Sequence, residues 1–361
     1  MTHTVAGSLP APVSRNALAL LRFPDRRTGW VVVAAATLAA PVEDLGGRLA
    51  ELHRAVPLVG ARLRGEVWHA GAVPAPLAVD GEPLAAPGLV GRFDLAAEAP
   101  LRVLVGAGGR RLAVACHHAA FDGLGLVALL AALAGGPLPA PATDWRGGGR
   151  PAPELRGLLG RLARPADRVA PSPAGPSGEA LAVREARLAG PAVTARLAAA
   201  AVAAAGARNA RLGARWRRVG VNLGIGGPPQ EAGAGRPLAG NASRYRRVDL
   251  AAGEPVGPAV AAALASPREP PDQVWSPRLG RLLEPLAGRF SDSLLVSNVG
   301  RRAVPGARRL DFFPVARGRS AVAFGSAGLP GGPSTVSVRA RDLYLEDAEA
   351  LLAEVVARLE A

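Results

Sequence analysis

The sequence predicts an α+β protein of two lobes, each a mixed sheet with helices, joined by a long linker. Three observations predict it. The chain has 361 residues, more than one hydrophobic core of ordinary size needs. Strand-like and helix-like segments are mixed in both halves. Between the halves, Pro137 to about Ala180 is crowded with Pro, Gly and Arg. It holds one short leucine-spaced stretch, Leu155 to Leu162, and is too long for a tight loop. The boundaries that follow are 1–136 for an N-terminal lobe, 137–180 for the linker and 181–361 for a C-terminal lobe.

In the first half, Trp30 to Ala39 is an apolar run of strand composition. Leu45, Leu49, Leu52 and Val56 then recur at helical spacing across Glu43 to Val56. Leu101 to Val105 and Arg111 to Cys116 read as strands, and Leu124 to Leu133 as an apolar helix. The second half opens on an alanine-rich helix, about Ala192 to Ala207. Strands are expected at Arg218 to Leu223, Arg246 to Leu250, Ser293 to Val299, Ala321 to Phe324 and Thr335 to Ala340. The last alternates through Val336 and Val338. A closing helix, Glu346 to Glu360, gathers Leu351, Leu352, Val355, Val356 and Leu359 on one face.

Composition narrows the function classes. Apolar residues make up 49% of the chain and charged residues 20%, which argues against intrinsic disorder. The net charge is +14, from 43 basic against 29 acidic residues, and every basic residue is arginine. With 45 Gly and 34 Pro, that bias resembles the codon usage of a GC-rich genome. Aromatic residues are only 4%, so base-stacking platforms are scarce and no nucleic-acid partner is expected. The single cysteine, Cys116, excludes an intramolecular disulfide framework and a multi-cysteine zinc site. The N-terminal stretch has no basic segment ahead of an apolar core, and the longest apolar runs are too short to span a bilayer. A soluble cytoplasmic protein without a transmembrane segment is the expectation.

Histidine is scarce, with five copies, yet His117 and His118 are adjacent, followed by Asp122 and Gly123. A strand ends there, a short turn follows, and a helix begins. Neighbours at a strand end point to opposite faces, so one histidine faces a given cleft while the other sits in the core. Histidine is the commonest general base near neutral pH. Asp122 stands where an aspartate is also simply a good N-cap. No third ligand lies nearby for a metal, and Cys116 is better read as a small buried apolar side chain than as half of a Cys–His dyad.

The pattern His117-His118-x-x-x-Asp122-Gly123 resembles the signature of the superfamily of chloramphenicol acetyltransferase and nonribosomal peptide condensation domains. Stand-alone acyltransferases of the wax ester synthase and polyketide-associated types share it. Phe93-Asp94-Leu95 through Pro100-Leu101-Arg102-Val103 is similar to the family's approach to the motif. Glu43 to Leu63 resembles its early helix. Gly220-Val221-Asn222-Leu223, Gly240-Asn241 and Ser297-Asn298-Val299-Gly300 are similar to stretches of the stand-alone enzymes. Where condensation domains carry Asp-Phe-Gly-Trp-Gly, this chain reads Asp311-Phe312-Phe313-Pro314-Val315, which favours the stand-alone branch.

The resemblance implies two chloramphenicol acetyltransferase-like lobes meeting at a channel, with the motif in the N-terminal lobe. It implies an acyltransferase that moves an acyl group from a coenzyme A or carrier-protein thioester to a small hydroxyl or amine, in lipid or natural-product biosynthesis. An amide-forming condensation enzyme and a catalytically inactive scaffold are the alternatives. His118 would be the general base, and Gly123 with the following helix N-terminus would favour the oxyanion. Asp122 would pair with an arginine to hold the loop, Arg62 being the nearest substitute for the family's residue. His117 would pack or fix a tautomer. Ser297 and Asn298 would bind substrate from the other lobe. No metal and no tightly bound cofactor is implied; the partners are a small-molecule acceptor and acyl-CoA or an acidic carrier protein. Arg301-Arg302 and Arg308-Arg309 are candidates for a basic rim that receives their negative charge.

Overall fold

The structure, a computed structural model, describes residues 8–23, 25, 27–142, 160–173, 178–188, 190–226, 237–266, 282–318 and 322–361. Much of the linker, including Leu155 to 159, lies outside the described residues, as does Ala321. Two mixed sheets organise the α+β chain. The first runs in the order Ala307–Phe313, Val31–Leu38, Arg111–His117, Leu101–Gly106, Leu77–Val79 and is antiparallel except at the last pair. The second runs Arg244–Ala251, Arg218–Ile225, Leu294–Arg301, Val322–Gly328, Ser334–Arg341, Glu179–Ala186. Its parallel pairs flank Leu294–Arg301.

The expected strands and helices form, and their ends show why the sequence placed them within a few residues. Val31–Leu38 is buried along nearly its whole length because it is covered on both faces, which is why it reads as a continuous apolar run. The Gly123–Leu133 helix is apolar all round and is buried from Gly125 to Leu133. The closing helix, Leu345–Glu360, instead buries one stripe, including Leu351, Leu352, Val355, Val356 and Leu359. Glu346 and Asp347 stand in its first turn, where acidic charge suits the helix dipole. The alanine-rich helix runs Val193–Arg211, past its expected end. Gly206 inside it makes room for the Trp216 ring, which an added Cβ would meet at 2.9 Å. Among the described residues, no helix is long and apolar enough to cross a membrane.

One element follows a course its sequence position does not suggest. Ala307–Phe313 lies in the second half, yet it pairs with Val31–Leu38 and completes the sheet of the first. A central strand buried on both faces needs hydrogen-bonding partners on both sides, and this crossing strand supplies one of them. It passes so close to the second sheet that a Cβ on Gly325 would sit 2.3 Å from the Phe312 carbonyl oxygen; only glycine fits there. Thr335 Oγ1 donates to the Leu310 carbonyl at 2.6 Å, and Ser337 donates to that of Phe312. Arg339, 1% exposed, donates to the Val31 carbonyl and pairs with Glu179. The two sheets are thus tied by polar contacts buried between them.

Candidate active site

His117 closes strand Arg111–His117, and the strand's alternation sends the two histidine rings to opposite sides. The His117 ring stands edge-on to Phe93, centroids 6.1 Å apart. Its Nδ1 accepts the Ala119 amide at 3.1 Å. Burial, with the repulsion of His118, Arg92 and Arg102, pulls its pKa down to about 3. His117 is therefore a neutral acceptor that pins the turn.

His118 faces the other way. Its amide donates to the Trp30 carbonyl at 2.7 Å, and its own carbonyl accepts Nδ2 of Asn241 at 2.7 Å. Burial lowers the imidazole pKa; the Asp122 carboxylate and its own backbone carbonyl oppose this without overcoming it. Nδ1 is buried and makes no hydrogen bond among the described residues. The residue's own carbonyl favours a proton on the ring; with that proton placed on Nδ1, Nε2 is the proton acceptor.

Asp122 caps the Gly123–Leu133 helix, taking the Gly125 amide on Oδ1 at 2.8 Å. Its other oxygen takes the Ala242 amide at 2.9 Å, and its own amide donates to the Gly240 carbonyl at 2.8 Å. This corrects the expected arginine pairing. Among the described residues no arginine reaches Asp122, and two backbone amides take that place. Arg62 is spent on the carbonyls of Gly60, Ala61 and Ala97. The loop Gly240–Ser243 from the second half thereby clasps both Asp122 and the carbonyl of His118.

The clasp depends on glycine. A Cβ on Gly125 would meet Gly240 oxygen at 2.7 Å and nitrogen at 2.9 Å, and one on Gly123 would meet the Phe312 ring at 2.7 Å. Gly125→Ala is expected to destabilise the protein by about 1–3 kcal/mol through overpacking, more than the roughly 1 kcal/mol that alanine gains in helix propensity. Thermal melting checks this; an unchanged Tm would mean that the clasp gives way without cost.

A cavity of about 50 Å³ opens beside His118, lined by residues of both halves. His118, Asp122 and Gly123 meet Ser297, Asn298 and Tyr245 there, among apolar walls that include Phe312, Pro314 and Val315. The stretch that departs from the condensation-domain pattern thus forms a wall of this cavity. Of the residues expected to act, the fold brings together His118, Asp122, Gly123, Ser297 and Asn298 and leaves His117 outside. The Asn298 amide is already engaged: Oδ1 accepts the Gly300 amide at 2.8 Å and Nδ2 lies 3.4 Å from Thr194 Oγ1.

Tyr245 and Asn241 were not singled out for the site from sequence. Asn241 lay within a weak family-like stretch, while Tyr245 sits in a run of arginines whose strand alternation is its only signal. Cys116 donates to the Phe121 carbonyl at 3.5 Å, and burial pushes its thiol well up, so it is no nucleophile. The expected basic rim does not form at the cavity. Arg301 holds the carbonyls of Leu329 and Gly332, Arg302 that of Val299, and Arg309 pairs with Asp311. Arg308 is exposed, and none of the four lines the cavity.

No protein-family model and no curated protein matches the chain. Solved structures do. The first condensation domain of the calcium-dependent antibiotic synthetase, in complex with a substrate analogue, matches with a TM-score of 0.59 at 15% identity, over 99% of this chain and 96% of that one. The X-domain from teicoplanin biosynthesis matches with a TM-score of 0.53 at 18% identity, over 99% and 96%. A structure described as CT gives 0.51 at 14% identity, over 97% and 89%. These likenesses establish the two-lobed condensation-domain fold over nearly the whole chain.

Proposed function

We propose that the protein is an acyltransferase that moves an acyl group from a coenzyme A or carrier-protein thioester to a hydroxyl or amine, with His118 as general base. The observation that carries this reading is a buried, neutral imidazole opening onto a cavity walled by both lobes. A neutral base in an apolar enclosure takes a proton from an acceptor held against it. The acceptor's oxygen or nitrogen then attacks the thioester carbonyl and the proton passes to Nε2. Collapse of the tetrahedral intermediate breaks the C–S bond, and the imidazolium returns the proton to the leaving thiolate. The orientation of the base is supported by Asp122, which holds the turn, and by Asn241, which holds the His118 carbonyl.

Purified protein incubated with a panel of acyl-CoA and acyl-carrier donors and pooled acceptors is expected to give an acylated acceptor by mass spectrometry. Absence of acyl transfer from every thioester would sink the reading. The likeness to an X-domain, which also occurs in a complex with OxyB, favours a second reading as a docking scaffold. Stable capture of a partner protein without turnover would support that one.

The pH profile offers a separate check. The base must be neutral to act, and the His118 pKa is lowered from its ordinary 6.5. Activity is therefore full at neutral pH and falls only as pH drops below 6.5. A kcat/KM profile whose acidic limb lies above that value would contradict His118 as the base.

A further inference from the structure

Acyl transfer also needs a donor for the oxyanion, and most polar groups around the cavity are already spent. Asn298 is tied to Gly300 and Thr194. Asn241 Nδ2 donates to His118, and the Ser243 hydroxyl donates to Asn241 Oδ1 at 3.1 Å. The Phe312 ring stands where a Cβ of Gly123 would lie, closing the cavity wall over that residue. Two side-chain hydroxyls remain, those of Ser297 and Tyr245, and of the two Tyr245 is the one whose ring is held against His118. Its ring lies edge-on to His118 with centroids 5.9 Å apart, and it lines the cavity. Among the described residues its hydroxyl makes no hydrogen bond.

We infer that Tyr245 is a further catalytic residue, donating its phenolic hydrogen to the thioester oxygen as that oxygen becomes an oxyanion. The inference rests on the acyl-transfer reading. The ring is held rather than loose: Trp30 packs against it at 6.3 Å, and the Arg317 guanidinium lies 5.2 Å from its centroid. Arg317 is itself fixed by Asp292 at 3.0 Å and stacks on Phe23 at 4.9 Å. A donor positioned before reaction pays no reorganisation as charge develops. Burial pushes the phenol well up, a rise that Arg317 only partly offsets, so the hydroxyl keeps its proton throughout the working range. As the acceptor attacks, the carbonyl electron pair moves onto oxygen, which Tyr245 hydrogen-bonds while its proton stays on the phenol. When the carbonyl re-forms and the C–S bond breaks, the hydrogen bond relaxes and His118 protonates the thiolate.

Tyr245→Phe removes only the hydroxyl and keeps the ring against His118, Trp30 and Arg317. It is expected to lower kcat about 100- to 1,000-fold, the usual effect of losing one oxyanion donor, with KM and the melting temperature unchanged. Ser297→Ala, which removes the rival cavity-lining hydroxyl that makes no hydrogen bond among the described residues, is the comparison. Wild-type kcat in Tyr245→Phe, a change confined to KM, or loss of kcat in Ser297→Ala alone overturns the inference while acyl transfer by the wild type stands. A wild-type protein inactive toward every thioester overturns the acyl-transfer reading, and this inference with it.

Discussion

His118→Ala is expected to lower acyl transfer by about 100- to 10,000-fold, the usual worth of a positioned general base, while the protein still folds. The ring borders an existing cavity, and its Nδ1 is buried without a partner. Truncation therefore strands no hydrogen-bonding group. His117→Ala is the informative contrast. It removes the acceptor of the Ala119 amide and the edge contact with Phe93, leaving a buried donor unpaired at a cost of about 1–3 kcal/mol. Its activity per folded molecule should stay near that of the wild type. Steady-state kinetics and melting of both variants decide the assignment. Full activity in His118→Ala, or selective loss of kcat in His117→Ala without destabilisation, would reverse the roles of the two histidines.

What the sequence made legible was local. The strand into His117, the turn and the N-cap at Asp122 occupy consecutive residues, and strand composition, a short turn and a capping side chain mark them in the sequence. The alternation alone separates the two rings. The contacts that complete the site are not local. Asp122 takes its second oxygen's partner from Ala242 and His118 is braced by Asn241, across a hundred residues and more of chain whose pairing no periodicity reveals. Ala307–Phe313 passes from partly exposed at its start to fully buried from Leu310 to Phe313, and nothing in that run says which sheet it joins. The family pattern put an arginine beside Asp122. Here a backbone loop brought within reach by Gly125 and Gly240 does that work.

The arginine excess also takes on a different meaning. A guanidinium carries several donors in a fixed fork, and many arginines in this chain spend them on backbone carbonyls. Arg62, Arg301, Arg302 and Arg246 do so, as does Arg339 between the sheets. Others pair around buried acids. Burial would raise the Asp292 carboxyl, but Arg317, Arg247 and the Asn222 amide hold it below the usual carboxylate range. In a chain without lysine, arginine ties loops to the core, and that accounts for charge which composition alone would assign to an acidic partner.

Asp122→Ala should damage stability and rate together. The carboxylate accepts the buried amide of Gly125 and the partly buried amide of Ala242, and is itself 5% exposed. An N-cap is worth about 1 kcal/mol, and a hydrogen bond to a charged group contributes about 1.5–3 kcal/mol. A loss of roughly 2–4 kcal/mol follows from those two contacts. The Gly240–Ser243 loop is then free to move, and with it the Asn241 brace on His118. The carboxylate also opposes the lowering of the His118 pKa, so its removal drops that pKa further and leaves a weaker base. The sign is definite: the acidic limb of the kcat/KM profile moves to lower pH in Asp122→Ala, while the plateau rate falls. Asp122→Asn removes the charge but keeps one acceptor oxygen, so it should show the same shift of the limb with a smaller loss of Tm. A variant with normal melting, an unmoved limb and no activity would instead place Asp122 in direct contact with the reacting groups.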